Sequence, residues 1–454
     1  MNGRSGFSVM EWYWVLLLLI GGLVVFMLLG MPVVFAFFAI NIIGAFIFMG
    51  GEKGLLQLMR NAIDSVQNFA LLPIPLFIFM GEIMFHSGVA ARAIDAIDKL
   101  IAKVPGRLSL VAVIGGTTFS SLSGSTIANT AMLGSTLLPE MYKRGYKPEI
   151  SIGPIVAVGG LAMLIPPSAL AVLLGSVARI SIADLLVASI IPALILAFLF
   201  FAYIIIRCTL DPSIAPPYDV SELTWRERLM PLVKYVLPLL AIFIVVVGSI
   251  VAGIATPTES AALGAVASLI AVAAYGLLSR EVFLISVKQT LRFTVMTLFI
   301  ICGSITFSQI LAFSQASDGL LAVIEAAELA PLSIIFMMML ILLFLGCFMD
   351  QVSMMMITMP IFMGIIAAVD FGIGDLQQTQ VWFGVLALMM LEISLATPPF
   401  GLLLFVAKGV APPGTTMAEV ITSVLPFILM AMAVAALLVF FPSITLILPN
   451  LIAN

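Results

Sequence analysis

Apolar stretches close to the ~20 residues that a helix needs to cross a bilayer recur along nearly the whole chain, separated by short polar connections. That recurrence makes lipid the solvent, and in lipid every backbone N–H and C=O must be satisfied internally. A bundle of membrane-spanning helices follows. Of 454 residues, 63% are hydrophobic and only 9% charged, and the mean hydropathy is +1.26. No soluble globular surface can be built from such a composition. The pI of about 5.1 and net charge of −4 rest on 42 charged side chains, so their placement says more than their sum. There is no basic footprint for nucleic acid. Cys208, Cys302 and Cys347 lack metal or disulfide spacing, and the single histidine, His86, has no clustered partners, so metal chemistry is not expected. The stretch from Trp12 to Leu29 lacks a small-residue cleavage pattern and reads as a retained span.

Ten spans are predicted, near residues 12–30, 32–50, 71–88, 150–178, 183–206, 235–253, 260–278, 293–312, 378–407 and 416–448. Two further stretches, 108–139 and 331–368, are too long for one helix and short or polar for two. Arg92, Lys99, Lys103 and Arg107 precede the first, and Lys143, Arg144 and Lys147 follow it, so both its ends read as cytoplasmic. The second is flanked by Asp318, Glu325 and Glu328 and by Asp370 and Asp375, with no Lys or Arg, so both its ends read as periplasmic. Each is expected to be a re-entrant hairpin, the two entering from opposite faces. This topology leaves only Arg4, Lys53, Arg60 and Arg179 of the 19 Lys and Arg residues outside, with both termini periplasmic.

An internal repeat supports the same plan. Pro166-Pro167 and Pro398-Pro399 are offset by 232 residues, each following a polar cluster, Ser121 to Asn129 and Asp350 to Ser353. Gly30-Met31-Pro32 and Ala255-Thr256-Pro257 mark similar turns at an offset of 225. The expected fold class is an all-α polytopic membrane protein with two inverted-topology repeats, each of about five spans and one hairpin. Residues 1–206 form the first repeat, with hairpin 108–139 and broken helix 150–178. Residues 207–234, containing Asp211-Pro212 and Pro216-Pro217, form a cytoplasmic linker. Residues 235–454 form the second repeat, with hairpin 331–368 and broken helix 378–407.

The densest polar run, Thr117 to Thr130, falls in the middle of the first hairpin. At a hairpin tip Gly124 permits a tight turn, hydroxyls and freed carbonyls can coordinate an alkali cation, and a helix start can hold a carboxylate. Close helix packing by small residues is the alternative. Asp350, Gln351 and Ser353, then Thr358 and Pro360, occupy the corresponding depth of the second hairpin. An ionised Asp there costs several kcal/mol without a cation or helix N-terminus beside it, although Asp350 can also serve as a plain cap. At Ile165-Pro166-Pro167-Ser168 and Thr397-Pro398-Pro399, two successive residues without N–H groups free carbonyls mid-span, so each helix is expected to break facing a cavity or an ion. A packed proline kink is the alternative. Glu392 can tune an ion site or stay paired. Glu82 and His86, four apart, sit near an inner interface. Arg179 and Lys408 either snorkel or pair with a substrate carboxylate. The 27 methionines, Met354 to Met356 among them, have no His or Cys companions and read as packing rather than copper ligands.

Read in order, Ile74-Pro75-Leu76-Phe77 with Gly81-Glu82, Ser123-Gly124-Ser125 through Asn129, Arg144-Gly145-Tyr146, Ile165-Pro166-Pro167-Ser168, Thr256-Pro257-Thr258-Glu259 and Thr397-Pro398-Pro399 make the chain resemble a known family. It is similar, over nearly its whole length, to the large membrane subunit of the tripartite ATP-independent periplasmic (TRAP) transporters. The resemblance implies an elevator mechanism, in which two hairpins and two broken helices slide against a scaffold, with sodium as coupling ion and no other cofactor. It implies a first sodium site at Ser121, Ser123, Gly124 and Ser125 with Ile165 and Pro166. A second is implied at Asp350, Gln351 and Ser353 with Thr397 and Pro398. The substrate is expected between them, against Ser125, Asn129, Pro167, Ser168 and Pro399, with Glu392 and Arg179 as tuning groups. The implied partners are a small four-span membrane subunit, for which residues 1–11 leave no room as a fusion, and a periplasmic solute-binding protein. The implied cargo is a small organic anion: a C4-dicarboxylate, a sialic-acid-like sugar or an oxo acid. The implied location is the bacterial inner membrane.

Two other functions are open on the residues alone. A sodium/proton antiporter on a related inverted-repeat plan would use Asp350 and Glu392 as titratable groups. An intramembrane serine protease would use Ser123 and His86, but a duplicated scaffold with two equivalent sites is superfluous for one nucleophile.

Overall fold

Proline, glycine and capping residues divide the apolar sequence into helices whose burial follows their sequence spacing. The computed structural model describes residues 10–101, 104–123, 125–216, 224–346, 349–399 and 401–453, with backbone alone at 121–123 and 453. Helices α1 (Trp12–Leu16) and α2 (Gly22–Leu28), joined by a π turn at Leu17–Gly21, make the first span, and α3 (Val33–Phe48) follows Pro32. Helix α4 (Glu52–Val66) buries Gly54, Leu58, Asn61 and Ser65, a spacing that places one stripe inward, while Leu56, Met59 and Ile63 stay exposed. Helices α5 (Pro73–His86) and α6 (Val89–Leu100) precede α7 (Arg107–Ser123) and α8 (Thr126–Lys143), two helices within the stretch 107–143 that pack on each other. Arg107, 6% exposed, anchors this hairpin through a two-pronged pair with Asp98 at 2.8 and 2.7 Å.

The stretch predicted as one broken helix over 150–178 is α9 (Pro148–Gly160), a 3-10 turn at Leu161–Met163, an irregular segment, then α10 (Ala169–Ala178). Next come α11 (Ile182–Ala188), α12 (Ile190–Leu210), α13 (Trp225–Pro231), α14 (Leu237–Val251) and α15 (Pro257–Ala274). Helix α16 (Arg280–Phe313) is about 50 Å long by its 34 residues and extends the span expected at 293–312 by more than three turns. Helix α17 (Ala316–Ala326) leads to the second pair of arms, α18 (Pro331–Leu345) and α19 (Gln351–Ala368). The second broken helix is α20 (Leu376–Ala396) and α21 (Leu402–Val410). The apolar stretch 416–448 is not one helix: α22 (Met417–Phe440) stops ahead of Pro442, which cannot continue its hydrogen-bond ladder, and α23 (Ser443–Ala453) starts anew. Reciprocal capping boxes at Thr224 and Glu227, Thr256 and Glu259, and Thr416 and Glu419 fix the starts of α13, α15 and α22.

Eight helices among the described residues are long and apolar enough to cross a membrane, and α19 is one of them, so its length alone does not exclude a full crossing. The all-helical, multi-span class is as expected.

Two compact units form, each drawing segments from both halves of the sequence. The first comprises Met1–Phe69, Phe293–Met338 and Val352–Gly372. Carboxamides fasten it: Asn41 Nδ2 donates to Gly303 O at 2.6 Å, and Asn61 Nδ2 donates to Gln309 Oε1 at 2.7 Å and Thr306 Oγ1 at 3.2 Å. The Phe37 and Phe307 rings meet edge to face at 5.6 Å. The second unit comprises Ala70–Arg292, Met339–Gln351 and Ile373–Asn454. At its centre α9 packs against α7, α8, α20 and α22. Gly153 makes the α22 contact possible, because a methyl there would lie 2.3 Å from Ser423 O.

Candidate functional site

Both helix breaks lie where the prolines placed them, and both sit in the second unit. In the first, Leu164 and Ile165 N–H groups double up on Leu161 O at 3.0 Å each, the Pro166-Pro167 bond is cis, and Ser168 restarts the helix by accepting from Ala171 N at 3.2 Å. In the second, Pro398-Pro399 is likewise cis, Thr397 Oγ1 donates back to Ile393 O at 2.7 Å, and Gly401 N donates to Thr397 O at 3.1 Å. Gly401 is required there: a methyl would lie 2.5 Å from Leu395 O and 2.8 Å from Thr397 O.

These breaks and the first hairpin come together. Arms α7 and α8 pack on the 3-10 turn that opens the first break, α20 packs on α9, α10 and that same turn, and α21 packs on α8. Helix starts at Ser125 and Ser168 therefore lie in one packed assembly with helix ends at Gly160 and Ala396. Starts offer N–H groups and the positive end of a dipole, whereas ends offer carbonyls. The arrangement suits a cation and a carboxylate side by side.

Ser125 caps α8 by accepting from Ala128 N at 3.3 Å, and the side chains of Ser121 and Ser123, with Gly124, lie outside the described residues. Asn129 is fully buried. Its Nδ2 donates to Ser120 Oγ at 2.5 Å and Gly116 O at 3.4 Å, while Ser120 Oγ donates to Val158 O at 3.3 Å, tying both arms to α9. Among the described residues its Oδ1 has no partner, and neither do the buried hydroxyls of Thr117, Thr126 and Thr130. Four orphaned polar groups on one hairpin are unusual, since buried polar atoms are nearly always paired. Thr117, Thr118, Ile165 and Pro166 line a cavity of about 210 Å³ that α12 and α14 close with Leu194, Leu240 and Phe243.

Gln351 begins α19, and its Nε2 donates to Met163 Sδ at 2.9 Å, which joins it to the first break as well as to the unit that holds the second. Asp350 is half-buried and Ser353 fully buried, the latter in the first unit. The breaks differ in setting: Ile165 to Ser168 are buried throughout, whereas Thr397 and Pro398 are half-buried and Pro399 exposed. Arg179 closes α10 with φ 57°, and ten helical residues, about 15 Å, separate it from Ser168. The structure does not bring it to the break. Glu392 does reach the first broken helix: it is 8% exposed, and its Oε1 occupies the space where a side chain on Gly160 would start. Its Oε2 has no partner among the described residues. Glu82 and His86 pair with each other at 3.1 Å on α5.

The reading from sequence chose serines in the polar run and passed over Thr117, Thr126 and Thr130. The spacing of Thr126, Asn129 and Thr130 was the available signal, because residues three and four apart share a helix face. Nothing in the spacing could point to Gly160 as the seat of Glu392.

The family profile described as "Tripartite ATP-independent periplasmic transporter, DctM component" matches residues 20–444. The ectoine/5-hydroxyectoine TRAP transporter large permease protein UehC of Ruegeria pomeroyi is 30% identical, over 94% of this chain and 97% of its own. The C4-dicarboxylate TRAP transporter large permease protein DctM of Pseudomonas aeruginosa is 29% identical over 88% and 93%, and the sialic acid TRAP transporter large permease protein SiaM of Vibrio cholerae 29% over 93% and 95%. Among solved structures, the fold is similar to the Alcanivorax borkumensis YdaH transporter, with TM-score 0.59 at 13% identity, over 85% of this chain and 88% of that one. The Neisseria gonorrhoeae efflux pump MtrF gives 0.57 at 13%, over 86% and 84%. The chain belongs to the DctM component family of the tripartite ATP-independent periplasmic transporters, and is a multi-pass transport permease rather than an enzyme.

Proposed function

We propose that this permease imports a small carboxylate-containing solute, coupled to sodium, across the bacterial inner membrane. The observation that carries the reading is the set of unpaired buried oxygens on the first hairpin, on Thr117, Thr126, Asn129 and Thr130, packed against a broken helix. Unpaired oxygens can ligate a desolvated alkali cation, and the threonine hydroxyls among them can also donate to a carboxylate. The first sodium ion is assigned to Ser121, Ser123, Gly124 and Ser125 with the carbonyls of Ile165 and Pro166. The second is assigned to Asp350, Gln351 and Ser353 with Thr397 and Pro398. The solute lies between them, against Ser125, Asn129, Pro167, Ser168 and Pro399. The names of the relatives support the class of cargo, since C4-dicarboxylates, sialic acids and ectoines all carry a carboxylate. A periplasmic binding protein delivers the solute, a small four-span membrane subunit completes the complex, and the hairpins and broken helices move as an elevator within two inverted repeats.

The test is uptake in vesicles holding the complete complex. Ser123→Ala and Asp350→Ala are each expected to weaken sodium activation while the protein remains inserted. Unchanged sodium activation in both variants would sink the assignment. One observation favours a second reading: Glu392 is a buried carboxyl without a basic partner among the described residues, as a proton antiporter would need. Sodium/proton exchange that proceeds without any binding protein would establish that reading instead.

A further inference from the structure

We propose that the junction of α6 and α13 binds an anionic phospholipid, its phosphodiester in a basic pocket and its acyl chain along α14. The pocket encloses about 510 Å³ and is lined by Lys99, Arg226, Glu227, Met230, Pro231, Lys234 and Tyr235. That volume is within the range of about 300–1,000 Å³ that holds small ligands and headgroups.

Charge is arranged around it for an anion. Lys234 Nζ lies 5.4 Å from the centre of the Tyr235 ring, and the Arg92 guanidinium lies 5.8 Å from it. Both cations are thus held on one ring by its π face. Arg226 is exposed and makes no ion pair among the described residues. The acidic groups nearby are already engaged: Glu227 accepts from Thr224 N at 2.8 Å and Thr224 Oγ1 at 2.7 Å, and Asp95 accepts from Lys99 Nζ at 2.6 Å. Tyr235 is itself braced by Tyr275, whose ring centre lies 5.5 Å away and whose hydroxyl donates to Lys234 O.

What makes the ligand a lipid is the surface that continues from the pocket. Met230, Val233, Leu237, Leu240 and Ile244 are 52, 53, 56, 39 and 64% exposed, and their spacing of three and four residues places them in one stripe along α13, the turn after it, and α14. Trp225, 72% exposed, and the two tyrosines flank the basic end, as aromatic side chains do at a membrane interface. A basic pocket at the head of an apolar stripe matches an amphiphile with one anionic end. The side marked cytoplasmic by its Lys and Arg residues is also the leaflet face on which anionic lipids attract such residues, with roughly a fivefold gain in affinity for each.

The purified complex is to be titrated with phosphatidylglycerol or phosphatidylcholine in detergent, and bound lipid read by native mass spectrometry. Phosphatidylglycerol is expected to be retained and phosphatidylcholine washed off. Arg226→Gln, at an exposed position that no packing depends on, is expected to lower phosphatidylglycerol retention roughly fivefold. Lys99→Gln, Arg226→Gln and Lys234→Gln combined should abolish it, whereas Arg280→Gln, Lys288→Gln and Arg292→Gln combined should leave it in place. Equal loss in the two triple variants would mean bulk charge alone and overturn the site, as would full retention when Lys99, Arg226 and Lys234 are all replaced. Displacement of the lipid by equimolar inorganic phosphate would assign the pocket to a free anion and overturn the lipid.

Discussion

Asn129→Ala separates a structural role from a functional one at the first hairpin. The native side chain donates one short bond to Ser120 Oγ and one long bond to Gly116 O, while its Oδ1 is buried with nothing to accept from. Losing a good neutral hydrogen bond costs about 1 kcal/mol, and removing an orphaned acceptor returns about 1–3 kcal/mol. Ser120 keeps its own bond to Val158 O, so α7 stays tied to α9. The two effects therefore offset each other to within about 2 kcal/mol, and the variant should insert and unfold much as the native protein does. If Oδ1 meets sodium or orients the solute, its loss removes a contact to a charged group, about 1.5–3 kcal/mol. That is a rise of roughly 10- to 150-fold in the half-saturating concentration of that ligand. The assay is uptake into proteoliposomes holding the complex and supplied with binding protein, titrated separately in sodium and solute, beside a thermal unfolding scan. A native titration in both ligands with a protein several kcal/mol less stable would make Asn129 a packing residue and refute the reasoning.

Asn61→Ala should destabilise the first unit by about 2–4 kcal/mol, because Gln57, Thr306 and Gln309 all lose a buried partner together. An unmoved thermal transition would contradict this. Gly160→Ala forces a methyl into the Glu392 carboxyl, so it should lower both stability and uptake, and Glu392→Ala should relieve part of the loss. A double-mutant cycle on thermal stability should give coupling of about 0.5–3 kcal/mol, and simple additivity would show that the two do not share that space. Gln351→Met keeps the volume of the side chain but removes its donation to Met163 Sδ, which bridges the second hairpin to the first break. The steepness of sodium activation should fall, and an unchanged Hill slope would show that this contact carries no coupling.

What the sequence displayed clearly was whatever the backbone alone decides. Two successive prolines remove two N–H groups wherever they stand, so the breaks at Pro166 and Pro398 were legible. Polar flanks around long apolar stretches likewise marked each as more than one helix, α7 and α8 in the first and α18 and α19 in the second. Contacts between distant segments were not legible. Gly160 reads as an ordinary small residue until Glu392, more than two hundred positions on, is found filling its missing side chain. Gln351 was grouped with Thr397 through the family resemblance, and its hydrogen bond to Met163 had no signal in the sequence. Arg179 was offered as a tuning group at the end of the broken span, and the ten residues of α10 set it about 15 Å along the helix from Ser168. Pro442 was passed over because residues on both sides are apolar, and hydropathy is blind to a missing N–H group.

The two breaks obey one backbone rule in unlike surroundings, and the difference bears on how such a site works. Ile165 through Ser168 are buried, so carbonyls freed there depend on protein, a bound cation or water within the small cavity that Ile165 and Pro166 line. Thr397 and Pro398 are half-buried and Pro399 exposed, so the second break is the more open of the two. A cation leaving the first site leaves its ligands little room for replacement partners, whereas one leaving the second leaves a more open break. On the proposed reading, the second site therefore exchanges sodium first and the first site holds its ion longer. A solute touching Ser168 on one side and Pro399 on the other loses its grip from the Pro399 side, which makes the second break the point at which release begins.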